Sequence, residues 1–268
     1  GGTLVAMDAA RTVGARDVLV RDGLIAWIGA PGAAPRAARG VTREKLDARN
    51  AAVLPGLIQG HVHLCQVLFR GLCDDRALMP WLRERIWPLE ANHDPESLAT
   101  STELGVTELL RHGTTTVLDM GTTNHHDAVF EVLQKRGLRA VSGKAMMDQG
   151  EGTPKKLGES TRASLRESDR LRERWHGTAN GRLRYAYAPR FVLSCTKKLM
   201  HEVSERAVSE GVLVHTHVAE HADERREVEK LLGESDLEAL AGCGIAGKHA
   251  VMAHGVQLTP AEMTRAAK

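Results

Sequence analysis

The chain has 268 residues, enough for a large core and close to the roughly 250 residues of a (β/α)8 barrel. Its formal charge is +2, with acids and bases interspersed and Lys155-Lys156 read as solvated surface, which argues against a nucleic-acid groove or an acidic partner. Four scattered cysteines, Cys65, Cys73, Cys195 and Cys243, have no Cys-x-x-Cys spacing and argue against a zinc ribbon or a disulfide scaffold. Apolar stretches are short and broken by charges, and the first residues carry no signal-peptide pattern, so no membrane span is expected and a cytoplasmic location is.

Residues 1–52 read as a small β domain. Short apolar segments (Thr3-Leu4-Val5-Ala6, Val18-Leu19-Val20, Leu24-Ile25-Ala26-Trp27-Ile28) are separated by Arg21-Asp22-Gly23 and by the glycine-rich stretch 29–40. So few strands cannot close a barrel or sandwich alone and are expected to pack on something else.

From residue 53 to 268 the pattern alternates. Apolar runs at 53–58, 116–120, 138–142, 183–188, 212–217 and 250–254 are interleaved with helical stretches near 95–112, 126–136, 159–175, 196–210, 222–241 and 259–267. Such alternation predicts a parallel sheet with right-handed crossovers. Asp94-Pro95 offers a helix N-cap with proline at the first position, and Thr259-Pro260-Ala261-Glu262 a capping box. About six βα units are visible where a closed barrel needs eight, and the chain starts at Gly1. A piece of a longer protein is therefore expected, with a complete doubly wound open sheet as the alternative.

In parallel α/β proteins chemistry gathers at the carboxyl ends of the strands. His61 and His63 end the first run, His215 and His217 the fifth, and His254 the sixth. On a strand, residues two apart share a face, so His61 and His63 point the same way, as two ligands of one ion require. Core packing would scatter histidines, whereas these gather at one rim. Glu220 follows His217 by three residues and is placed to reach back over that rim, where a carboxylate beside an activated water can move its proton. Capping of the helix that begins near Ala222 is the equally weighted alternative.

Pro55-Gly56-Leu57-Ile58-Gln59-Gly60-His61-Val62-His63, Gly113-Thr114-Thr115-Thr116, Ala188-Pro189-Arg190-Phe191, His217-Val218-Ala219-Glu220 and Ala253-His254-Gly255 together resemble the amidohydrolase superfamily. The branch they resemble holds guanine, S-adenosylhomocysteine and 5'-deoxyadenosine deaminases and the s-triazine hydrolases. The resemblance implies a (β/α)8 barrel, here truncated, with a small β-sandwich portion at the front. It implies one divalent metal, zinc with iron as the alternative, held by His61, His63 and His217. It further implies Glu220 as proton shuttle, His254 as the group that polarises water or steadies the leaving group, and Arg190 as a contact to the substrate ring. His215 is left as a supporting or packing residue. The family's eighth-strand aspartate has no counterpart before Lys268.

The activity so implied is hydrolytic deamination of an amino-substituted N-heterocycle, with release of ammonia. The substrate signals conflict. Ala188-Pro189-Arg190-Phe191 is closer to guanine deaminases, while Arg70-Gly71-Leu72-Cys73-Asp74-Asp75 and the stretch from Trp81 to Glu90 look more like the S-adenosylhomocysteine and 5'-deoxyadenosine branch. Trp81 is a candidate to cover a flat ring, against a place on a helix's buried face. His125, His126 and Asp127 are candidates to line the pocket, against a polar loop with a helix cap. A triazine hydrolase of the same fold stays open, as does a non-catalytic relative lacking the eighth-strand aspartate. Cytidine-type zinc deaminases are excluded, because their His-x-Glu and Pro-Cys-x-x-Cys are missing. The resemblance also suggests a homodimer.

Overall fold

The structure, a computed structural model, describes residues 1–267. The chain divides into two compact units, Gly1–Leu57 and Ile58–Lys268.

The first unit is a four-stranded sheet formed by β1 (Gly2–Val5), β2 (Val13–Arg21), β3 (Leu24–Gly29) and β4 (Ala52–Val53), in the order β3-β2-β1-β4. The β2–β3 hairpin turns on Asp22 and Gly23, both at positive φ, as a tight hairpin turn matched to the right-handed twist of its strands requires. Leu4 is buried, while Val20, Leu24 and Ile25 stay exposed.

The second unit is built on a sheet of β5 (Leu57–Val62), β6 (Thr114–Met120), β7 (Arg139–Gly143), β9 (Leu183–Pro189), β10 (Leu213–Val218) and β11 (Ala250–His254), with the short β8 (Ala145–Met146) paired to β9. The order β11-β10-β9-β7-β6-β5 follows the sequence backwards, each strand beside its predecessor, as right-handed βα units demand. The pairings of β6 with β7, β7 with β9 and β10 with β11 are parallel. Strands β7 and β9 approach so closely that a Cβ on Gly143 would sit 2.0 Å from the Ala186 carbonyl oxygen, and only glycine fits there.

Between the strands run helices Pro95–Arg111, His126–Arg136, Thr161–Trp175, Lys197–Glu210, Ala222–Leu232 and Asp236–Gly242, and Pro260–Ala266 follows β11. Asp94 caps the first by accepting from the Ser97 N–H, and Thr259 with Glu262 forms the capping box of the last. The core between strands and helices is apolar: Leu98, Val129, Phe130, Leu133, Leu183, Leu199, Val214 and Leu240 are among its buried members.

Three elements differ from the sequence pattern. The run at 53–58 is split: Ala52–Val53 joins the small sheet beside β1, and the barrel strand starts at Leu57, after Pro55, which has no N–H to give a ladder. The stretch 222–241 is two helices, because Gly233 takes a left-handed conformation that ends the first and Ser235 caps the second. Residues 78–90, outside the helical stretches read from the sequence, form helical turns Leu78–Trp81 and Trp87–Glu90 joined by a π-helical turn, Leu82–Ile86. A π-turn inserts a residue into the helical register, which blurs the 3.6-residue signal.

Candidate metal and catalytic site

Strand β5 ends at Val62, and His63 keeps extended backbone, so His61 and His63 stay on one side of the strand. Their ring centroids are 4.8 Å apart. On β10, His215 and His217 alternate with buried neighbours, and the parallel register sets His217 opposite Ala253 and Val218 opposite His254. The pairings place His61, His63, His217 and His254 at one end of the sheet. His61 lies 4.9 Å, centroid to centroid, from both His217 and His254.

The hydrogen bonds determine which ring nitrogens are free. His63 Nδ1 donates to the Met120 carbonyl at 2.8 Å, and His217 Nδ1 to the Arg190 carbonyl at 2.7 Å. A carbonyl only accepts, so each ring carries its proton on Nδ1 and presents a bare Nε2. Those two Nε2 atoms face each other at 3.1 Å. Two lone pairs pointed at one another repel unless a cation lies between, and two nitrogens sharing one tetrahedral zinc stand about 3.3 Å apart. Burial holds both rings well below the ordinary histidine pKa, and it lowers His61 to about 4, so all three stay neutral, the form a metal binds. Ligand atoms of His61, His63 and His217 lie within 4.8 Å of one another, as do those of His217, Glu220 and His254. The donor set therefore fits a divalent metal.

Glu220 leaves β10 on a constrained turn. Ala219 and His254 both hold positive φ, 48° and 75°, which costs a non-glycine residue free energy and is sustained by its surroundings. Around Ala219 the surroundings are two buried carboxylates. Asp236 accepts from the Ala219 N–H, while Glu224 accepts from the N–H groups of Glu220 and His221. The turn brings a Glu220 carboxylate oxygen to 3.4 Å from His254 Nε2. Burial pushes the Glu220 carboxyl up from its ordinary value, opposed by His254 and Arg190. Glu224 is raised to about 7, by burial and then by the charge of Asp236.

Arg190 follows β9 and is buried. Its Nη1 and Nη2 donate to the two oxygens of Glu90, at 2.7 and 3.0 Å, and the Gln66 amide donates to Glu90 at 2.8 Å. Two of the five guanidinium N–H donors are thus engaged with Glu90. A cavity of about 310 Å³ adjoins His63 and is lined by Gln66, Phe69, Cys73, Trp81 and Ile86 among others. Trp81 is half-buried there, while Trp87 packs into the core. His126 is buried instead against Ser142, which donates to Asp119, and Asp127 pairs with Arg170 and Arg174. His126 and Asp127 thus belong to the packing between strands and helices.

Three participants escaped the sequence pattern. Asp119 accepts from the Leu64 N–H and so pins the backbone just past His63; burial raises its carboxyl to about 6. Glu90 and Gln66 are the other two: Glu90 pairs with Arg190 across 100 residues, and Gln66 donates to Glu90. A buried acid at the end of a short helix has no local signature, although Asp119 at the carboxyl end of β6 occupies the rim where functional groups gather.

Comparison with known proteins accords with this geometry. A family model described as "Amidohydrolase family" matches residues 52–268. The chain is 34% identical over 221 residues to a 5-methylthioadenosine/S-adenosylhomocysteine deaminase of Bacillus anthracis, covering 82% of this chain and 49% of that protein. It therefore spans about half the length of the curated relatives it matches. Its fold superposes on E. coli guanine deaminase with a TM-score of 0.82 and 31% identity, covering 92% of this chain and 57% of the other. An adenosine deaminase from Xanthomonas campestris, solved with bound zinc, gives a TM-score of 0.81 at 27% identity, covering 99% and 59%. The extent of the match and the placement of its histidines lead to one conclusion: the chain belongs to the amidohydrolase family.

Proposed function

We propose that the protein containing this chain is a metal-dependent deaminase of an amino-substituted N-heterocycle, with a purine or purine nucleoside as substrate. The observation that carries this is the pair of bare Nε2 atoms of His63 and His217, 3.1 Å apart, with His61 and the Glu220–His254 pair beside them. His61, His63 and His217 would hold one divalent ion, zinc with iron as the alternative. When bound, such an ion supplies a water acidic enough to attack near neutral pH.

Glu220 takes the proton of the attacking water and delivers it to the ring nitrogen beside the amino-bearing carbon. A raised carboxyl pKa suits a group that must both accept and return a proton. The water oxygen bonds to that carbon; its remaining O–H proton then passes through Glu220 to the amine, the carbon–amine bond breaks, and ammonia leaves. His254, facing Glu220, steadies the attacking oxygen. Trp81 supplies a flat wall for the ring in the cavity beside His63. Gln66, its amide nitrogen given to Glu90, keeps its carbonyl oxygen free to accept from a ring N–H or amino group. Arg190 retains two N–H donors beyond those directed at Glu90 and Met147 for a ring acceptor. The deaminases among the relatives support the reaction class, and a cytoplasmic location and a homodimer complete the proposal.

The test is ammonia release by the full-length protein from guanine, 5'-deoxyadenosine, S-adenosylhomocysteine, 5-methylthioadenosine, pterins and aminotriazines. Release from a purine is the expected result. Loss of chloride or alkylamine from a triazine, without ammonia from any purine, would favour the triazine-hydrolase alternative.

A further inference from the structure

The three metal-site imidazoles are not held alike. His63 and His217 are oriented by main-chain carbonyls, which no side-chain substitution removes. His61 is oriented by another side chain: its Nδ1 lies 2.8 Å from Nε2 of His215. His215 is fully buried, and the rings meet edge to face at 83° with centroids 4.9 Å apart. One of the two facing nitrogens must donate and the other accept. If His61 is to offer Nε2 to a cation, its proton sits on Nδ1 and points at His215, which must answer with a lone pair on Nε2. His215 then carries its own proton on Nδ1, an atom that is buried with no hydrogen-bond partner among the described residues. A histidine kept in that state at the cost of an unsatisfied N–H is poor packing material, since an apolar residue would fill the same space without the orphan.

We infer that His215 is a positioning residue, whose Nε2 lone pair fixes the tautomer and tilt of His61 so that its Nε2 faces the metal. The inference rests on the metal-binding role proposed above and deepens it. It makes His61 the one ligand of the three whose geometry depends on a replaceable side chain.

The test uses the full-length protein stripped of metal, with zinc affinity measured by competition against a chromophoric chelator and cobalt(II) absorption as a report on ligand geometry. The variants are His215→Phe, which keeps an aromatic ring but accepts nothing, and His215→Gln, whose amide oxygen reaches to about where Nε2 was. Wild-type protein should bind zinc, His215→Phe should bind about 10–100-fold more weakly with an altered cobalt spectrum, and His215→Gln should recover most of both. Wild-type affinity in His215→Phe overturns the inference, and so does a loss in His215→Gln equal to that in His215→Phe, which would mean ring packing alone matters. Should His215→Phe fail to fold, His215→Gln decides: near-wild-type affinity and spectrum support the role, and a loss of about tenfold or more overturns it. A wild-type protein that binds no zinc or cobalt at all overturns the metal site itself, an outcome distinct from any difference between variants.

Discussion

Glutamine in place of Glu220 is expected to lower turnover roughly 10²–10⁴-fold while leaving metal content unchanged. Glutamine matches glutamate in size and still fills the space beside His254, but its amide cannot take a proton from water and return it to a ring nitrogen. The three imidazoles do not depend on it, since the Nδ1 atoms of His63 and His217 are tied to main-chain carbonyls and that of His61 to His215. The turn should survive, because the Ala219, Glu220 and His221 N–H groups are held by Asp236 and Glu224 rather than by the Glu220 side chain. Steady-state kinetics and elemental analysis on the same preparation check both halves. Unchanged turnover would assign the proton to another group; lost metal would make Glu220 a ligand.

The largest effect on stability is expected from Glu90→Leu, a loss of about 3–5 kcal/mol. The change leaves the Arg190 guanidinium, 3% exposed, without its carboxylate, and strands the Gln66 amide as well. Putting Met at Arg190 in the same chain removes the orphaned charge, and Met147 beside it shows that the site accepts a thioether. The double variant Glu90→Leu/Arg190→Met should therefore recover most of the loss, since a buried ion pair exchanged for packed apolar groups is often near neutral. Denaturant unfolding of the wild type, both single variants and the double variant measures the coupling. Additive losses would contradict a direct pair. A double variant that is stable but has a raised KM would show that Arg190 also touches substrate.

The site's outline could be read from residues because a strand's two-residue period is rigid: His61 with His63, and His215 with His217, had to share a side. The rim position of each pair followed from alternation of strand and helix, as did the six βα units and most helix boundaries. The partners that tune the site were hidden by distance along the chain. Glu90 meets Arg190 across 100 residues and His215 meets His61 across 154, and no local period encodes which rings or charges face one another after the strands pair. The misplaced first strand has a similar cause. Residues 53–58 are apolar throughout, so periodicity could not tell that Val53 belongs to the small sheet and Ile58 to the barrel.

Whether the three imidazoles share one ion is decided by crystals of the full-length protein loaded with zinc, measured on both sides of the zinc absorption edge. An anomalous peak is expected at the convergence of Nε2 from His61, His63 and His217. A peak held elsewhere, with those three imidazoles bonded only to protein, would contradict it.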